Sequence, residues 1–243
     1  MGKIKIGNIK LADRTVVVGT IVDFDISFFN NVEDDILKKI DILELRIDLL
    51  NKISLNYIKS IIHIIKASLK KPVIATIRSK KEGSRRNIND KTRYNIFKNI
   101  IQDVDCVDIE INSGLFNKVT ELSHFYKKPV IGSYHNFNKT PSDIELNKIL
   151  LKGKKGKADI VKIACFSLKT SDLIRLTQFT INHNSENIVT ILMGSTGTIT
   201  RIFYPLIGSL FTYGFLTKNS SPGQLSAKEI INYLQCFDLK GLH

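Results

Sequence analysis

A single (β/α)8 barrel is the fold this sequence predicts, and three observations carry the expectation. Eight short runs rich in Val and Ile alternate with eight helical stretches, with no linker or low-complexity break between them. The runs are apolar throughout, as parallel strands covered on both faces must be. The length, 243 residues, suits one barrel. A doubly wound sheet is the alternative, but no GxGxxG follows the first strand.

The strands are expected at Thr15–Val22, Ile42–Ile47, Val73–Ile77, Cys106–Ile111, Val130–Tyr134, Asp159–Ile163, Ile188–Met193 and Leu210–Phe215. The helices are expected near Val32–Lys39, Leu55–Lys70, Asp90–Asp103, Ser113–Tyr126, Pro141–Lys152, Thr170–His183, Ile199–Leu206 and Leu225–Phe237. In Leu55–Leu69, apolar residues at 55, 58, 61, 62, 65 and 69 follow the helical period. Pro72 and Pro129 open strands, where a missing N–H does least harm. Thr140-Pro141-Ser142-Asp143 reads as an N-cap, a first-position Pro and an acidic first turn, and Gly153 as a helix C-terminus. Residues 1–243 read as one domain. Lys3–Ile6 and Ile9–Leu11, joined at Gly7-Asn8, form a candidate hairpin (3–11) closing the barrel floor.

Charge and composition narrow the function. The 36 Lys and Arg against 23 Asp and Glu give +13, a balance that suits nucleic acid or an anionic small molecule. The lysine clusters at 70–71, 127–128 and 152–157 each fall just before a strand, where cations offset helix C-termini. No aromatics interleave with them and there is no Trp, so nucleic acid is not the expected partner. No apolar run is long enough for a bilayer, and the N-terminus carries no signal-peptide core. Cys106, Cys165 and Cys236 are scattered and odd in number, as reduced thiols of a cytoplasmic protein are.

Barrel active sites lie at the C-terminal ends of the strands. There this chain places Glu44, Arg46 and Asp48, then Arg78 and Glu82, Asp108 and Glu110, Ser133 and His135, Lys162, Met193 and Arg201. Residues two apart in a strand face the same way, so Glu44, Arg46 and Asp48 share one face, and so do Asp108 and Glu110, and Ser133 and His135. Lys162 stands in the apolar run ADIVKIA. Desolvation there favours the neutral amine, which can attack a ketone and form a Schiff base. A lysine snorkelling to solvent is the plainer alternative. Asp48, Asp108 and Glu110 read equally as a buried ion-pair layer or as substrate contacts. Among five histidines, His135 alone falls at a strand end, and imidazole suits proton transfer at neutral pH.

Taken in order, ELRID (44–48), RSKKEG (78–83), DIE (108–110), SYHNF (133–137), DIVKIA (159–164), MGSTGTITR (193–201) and SSPGQ (220–224) resemble the type I 3-dehydroquinate dehydratases of the shikimate pathway over essentially the whole chain. The resemblance implies a lyase that dehydrates 3-dehydroquinate to 3-dehydroshikimate with no cofactor and no metal. Lys162 would form the imine, His135 would act as base and acid, and Glu82 would orient it. Glu44, Arg46 and Arg78 would meet ring hydroxyls. Arg201, Ser220 and Gln224 would hold the substrate, with Arg201 on its carboxylate, and Leu216–Gln224 would close over it. Relatives imply a homodimer. Three departures stand out: Thr200 where Ser is common, Ser221 where a small residue such as Ala precedes the Pro, and Gly19 where a Ser can touch substrate. The last puts any side-chain contact from the first strand in doubt. A Schiff-base aldolase acting on a sugar phosphate is the alternative, with Gly194 and Gly197 as its phosphate loop. A non-catalytic nucleic-acid binder would leave the polar strand ends unused.

Overall fold

The computed structural model describes residues 4–24 and 34–236. Lys3, Val32 and Phe237, each invoked above, lie outside them. An N-terminal hairpin pairs β1 (Lys5–Ile6) with β2 (Ile9–Lys10). The main sheet comprises β3 (Val16–Ile21), β4 (Ile42–Arg46), β5 (Val73–Thr76), β6 (Cys106–Glu110), β7 (Val130–Asn136), β8 (Ile160–Phe166), β9 (Ile188–Met193) and β10 (Phe211–Phe215). All neighbours are parallel, in the order β10-β3-β4-β5-β6-β7-β8-β9. The ring shuts where Leu210 N donates to Ile188 O (2.9 Å) and Thr190 N to Ser209 Oγ (3.1 Å). This is the (β/α)8 barrel.

Among the described residues the helices are α1 (Asp34–Lys39), α2 (Leu55–Ile64), α3 (Asp90–Ile100), α4 (Phe116–Phe125), α5 (Asp143–Lys155), α6 (Thr170–Asn182), α7 (Thr200–Phe203) and α8 (Ala227–Cys236). Their apolar faces and the outward strand residues make the larger core. Several helix ends differ from the sequence reading. Ser142, not Thr140, caps α5: its hydroxyl accepts from Glu145 N, and Glu145 answers on Ser142 N. That reciprocal box leaves Pro141 outside the helix. Gly153 lies inside α5, where a Cβ would stand 2.7 Å from Val161, so its smallness serves packing. The helix runs on to Lys155. Pro205 divides the stretch before β10 into α7 and a separate single turn, Tyr204–Leu206. Lys70, Lys127 and Lys157 sit at helix ends in the left-handed region (φ 52, 55 and 61°). They are the basic clusters seen in the sequence.

Inside the barrel the strands divide by height. The lower interior is apolar: Val16, Val18, Ile42, Ile74, Ile131, Ile160, Val189 and Phe211 pack with Ile6 and Leu11 of the N-terminal hairpin. The upper interior is polar. The same inward register carries Thr20, Glu44, Thr76, Asp108, Ser133 and Lys162 one step higher on successive strands. The apolar floor thus leaves the polar layer facing only upward. Ile6 is fully buried in this floor, so Ile6→Ala should lower unfolding stability by about 2–5 kcal/mol. A denaturant titration showing less than 1 kcal/mol would mean the hairpin does not carry that packing.

Candidate active site

A cavity opens at the top of the barrel. The nine side chains to which the resemblance assigns a role line it: Glu44, Arg46, Arg78, Glu82, His135, Lys162, Arg201, Ser220 and Gln224. Asp48, Asp108, Glu110 and Ser133 lie behind that wall. Thr20, Phe137, Ile191, Met193, Tyr213 and Ser221 complete much of the wall.

Lys162 is 4% exposed, and its surroundings correct the sequence expectation. The amine does not meet an apolar wall. Its Nζ lies 2.5 Å from Asp108 Oδ2, 3.9 Å from Glu44 Oε1, and 3.4 Å from the Tyr213 hydroxyl. The reason is register: Lys162 pairs with Ser133, whose strand neighbour is Glu110, so β8 points the lysine at the inward acids. Asp108 also accepts from Arg78 Nη2 (2.8 Å) and Ser133 Oγ (2.6 Å). Burial alone would raise its pKa, but Arg78 and Lys162 outweigh that and hold it well below the usual carboxylate range. Glu44 accepts from Thr20 (3.1 Å) and Thr76 (2.8 Å). Burial raises the Tyr213 phenol well above its ordinary value, and Glu44 and Asp108 add to this, so it stays neutral.

His135 lies on β7, next to β8. Its Nδ1 is 2.9 Å from Glu82 Oε2, and the same oxygen accepts from its backbone N–H at 3.0 Å. Burial, then Arg78 and Lys162, lower the imidazole pKa well below 6.5 despite the opposing pull of Asp108. The ring is neutral in the free protein. With Glu82 ionised, Nδ1 carries the proton and Nε2 keeps its lone pair for a substrate proton. Burial pushes Glu82 up to about 7, Arg78 pulling the other way.

The arginines divide into two kinds. Arg46 makes two bonds to Asp48 (3.1 and 2.9 Å), and burial is outweighed by that carboxylate. Asp48 itself sits in the turn Ile47–Leu49, not on the strand, so it holds Arg46 from behind. Glu110 binds Arg93 and Ser79 N and lies 4.0 Å from Arg78. Arg78 opposes burial with Asp108, Glu110, Glu82 and Glu44, and remains firmly charged. Arg201 differs. It is 3% exposed, and its neighbours are the carbonyls of Gly223 (3.1 Å) and Tyr213 (3.3 Å) and the hydroxyl of Ser221 (3.1 Å). No carboxylate among the described residues pairs with it, and burial lowers its pKa to about 10.

A family model described as type I 3-dehydroquinase matches residues 30–240. The chain belongs to that family. A 3-dehydroquinate dehydratase of Thermodesulfovibrio yellowstonii is 35% identical over 205 residues, covering 84% of this chain and 89% of the relative. One of Methanosarcina mazei is 32% identical over 235 residues, covering 93% and 96%. Among solved structures, the Aquifex aeolicus 3-dehydroquinate dehydratase superposes with a TM-score of 0.79 at 31% identity, covering 92% of this chain and 99% of its own. The type I enzyme of Clostridium difficile, solved with covalently modified comenic acid, gives 0.84 at 26% identity, covering 97% of each chain.

Sequence reasoning missed part of the first strand's contribution. Gly19 faces outward, where a Cβ would meet Leu216 at 2.8 Å. Thr20 is the inward residue, and it lines the cavity and holds Glu44. The alternation Val16, Val18, Thr20 was the available signal. Thr200 belongs to the frame: its hydroxyl donates to Gly197 O and accepts from Leu192 N. Among the described residues no cluster of His, Cys, Asp and Glu could hold a metal ion.

The Glu82–His135 pair makes a pH prediction. As pH falls through about 7, Glu82 takes a proton and donates it to Nδ1, which moves the ring proton to Nε2 and removes the base. The rate constant kcat/KM should therefore rise with pH along a limb centred near 7. Glu82→Gln, whose amide oxygen accepts from Nδ1–H without titrating, should flatten that limb. A limb unchanged in the variant would assign it to another group.

Proposed function

We propose that this chain dehydrates 3-dehydroquinate to 3-dehydroshikimate through a Schiff base on Lys162, as one barrel domain with the hairpin (3–11) closing its floor. The observation that carries the reading is the pairing of a buried lysine and a neutral histidine, on adjacent strands, with one buried arginine that has no carboxylate partner among the described residues.

The ketone of the substrate meets Lys162. The ammonium must lose a proton to solvent before attack, and Asp108, held ionised at 2.5 Å, keeps the amine in place. Addition gives a carbinolamine, and loss of water gives the protonated imine. That imine withdraws electrons from the neighbouring carbon far better than a ketone does. His135 Nε2 then takes the α-proton, forming an enamine, and the imidazolium returns a proton to the departing hydroxyl. Water finally hydrolyses the imine and frees Lys162. Glu82 fixes the tautomer that permits this. Glu44, Arg46, Arg78, Ser220 and Gln224 meet the ring hydroxyls, Arg201 holds the carboxylate, and Leu216–Gln224 covers the imine.

The aldolase alternative fares less well. Its phosphate would need the free backbone N–H groups of Gly194 and Gly197. Gly194 N donates to Pro222 O (3.2 Å) and Gly197 N to Gly194 O (3.0 Å), so both are taken.

No helix among the described residues is long and apolar enough to cross a membrane. We place the enzyme in the cytoplasm as a homodimer. Ile144 and Leu151 on α5 and Leu168, Ile174 and Ile181 on and before α6 are exposed, which is the kind of surface a second copy covers.

Borohydride added with 3-dehydroquinate should reduce the imine to a secondary amine on a peptide containing Lys162. An adduct on Lys80 or Lys81, or none in an active enzyme, would overturn the assignment. His135→Ala should still allow trapping, while turnover drops by about 10²–10⁴-fold or more. Arg201→Ala should raise KM at least tenfold, because the carboxylate loses a charge-assisted partner. An unchanged KM would remove Arg201 from that role.

A further inference from the structure

Every hydrogen bond that holds the Arg201 guanidinium runs to the loop after β10 or to β10 itself. Nε donates to Gly223 O (3.1 Å), Nη1 to Tyr213 O (3.3 Å) and Nη2 to Ser221 Oγ (3.1 Å). A guanidinium has five N–H groups in a fixed plane. These three contacts consume Nε–H and one N–H of each terminal nitrogen. One N–H remains on Nη1 and one on Nη2, available to the oxygens of a carboxylate. Arg201, Ser221 and Ser220 all line the same cavity.

We propose that Ser221 is a positioning residue: its hydroxyl fixes the rotation of the Arg201 guanidinium and latches the 216–224 loop to it. The proposal rests on the reading of Arg201 as the carboxylate's partner and deepens it. Arg201 is the one buried cation of the cavity not paired with a carboxylate among the described residues. If the loop lifts, Nε and Nη2 lose their acceptors while the guanidinium stays inside the protein, and unmade bonds to a buried charge are costly. Arg201 thus pulls the loop shut. The carbonyl contact at Gly223 depends on backbone shape. Gly223 has φ +68° and a Cβ there would lie 2.4 Å from Gly194 O, so glycine is required for that approach. Ser221 is different because it works through its side chain. The loop braces itself elsewhere: Gln224 Oε1 accepts from Ser220 N (2.8 Å) and Ser220 Oγ (3.0 Å). Ser221 is therefore the side chain of this loop that bonds Arg201. Ala at this position, the residue expected from the resemblance, would leave Nη2 with one fewer acceptor and the guanidinium freer to turn.

The test is a double-mutant cycle of Ser221→Ala and Arg201→Ala on the full chain, read by two measurements. The first is the rate of trypsin cleavage after Lys218, which is exposed in the loop and paired with Asp23. The second is steady-state kinetics with 3-dehydroquinate. Ser221→Ala should raise KM roughly threefold to tenfold, the loss of about one net hydrogen bond, with kcat changed less than twofold. Cleavage after Lys218 should accelerate by a similar factor without ligand. In the Arg201→Ala background the added Ser221→Ala change should leave cleavage unaltered, because the latch has already lost its partner. Ser221→Thr, which keeps the hydroxyl, should stay near wild type. Additive effects on cleavage in the double variant, or a Ser221→Ala enzyme with wild-type KM and cleavage rate, would overturn the proposal. Wild-type chain that is inactive on 3-dehydroquinate but still shows the non-additive cleavage would instead overturn the functional reading and leave the latch standing.

Discussion

The carboxylate of Asp108 is the constraint on which the upper barrel depends. It is fully buried and faces two buried cations, Lys162 at 2.5 Å and Arg78 at 2.8 Å, with Ser133 donating as well. An isolated charge in such a place would cost several kcal/mol. Here each charge is the compensation for another, so no member can be removed without stranding the rest. The layer extends through Glu110 to Arg93 and through Arg78 to Ser133. Because inward residues on neighbouring strands are matched in register, a slip of one residue would send Lys162 outward and unpair Asp108. The same ion pairs that place the catalytic groups therefore also specify the alignment of β5 to β8.

This arrangement explains the two unusual protonation states in the site. His135 is neutral because burial and the nearby cations Arg78, Lys162 and Arg46 disfavour a further positive charge. Glu82 is raised toward neutrality because it is buried beside Glu110 and Asp108, with Arg78 only partly offsetting them. Both shifts disfavour an imidazolium–carboxylate pair in the free protein. A base that starts neutral can accept a proton in the reaction.

The fold was legible because alternation and register act over many residues. Eight Val- and Ile-rich runs leave few arrangements other than a barrel, and the polar ends of those runs mark its active face. What escaped was local. Thr140 looks as good a cap as Ser142 until Glu145 is seen to complete a reciprocal pair with the serine. Gly19 stands where a site residue would be sought, but the pleat turns it outward and brings Thr20 in. The environment of Lys162 was misread from its own strand, which is apolar, because the acids that surround it come from β4 and β6. Sequence neighbours do not report on cross-strand neighbours. Ser221 was visible only as a departure from a pattern, since nothing in the chain says that a guanidinium from α7 would reach its hydroxyl.

The distribution of compensated charge gives the cavity a direction. Lys162, Arg46 and Arg78 each face a carboxylate of the protein, so none of them needs an incoming anion. Arg201 is satisfied only by neutral oxygens. An anionic substrate therefore gains most by placing its charge against Arg201, at the loop side of the cavity. A carboxylate bound to Lys162 would instead compete with Asp108 and meet repulsion from Glu44. An anion at Lys162 is penalised by the acids around it, and one at Arg201 is favoured, since among the described residues Arg201 is the cation of this cavity left without a carboxylate. That asymmetry gives a pocket lined by four positive groups one end that favours an anion, at Arg201, and one that does not, at Lys162.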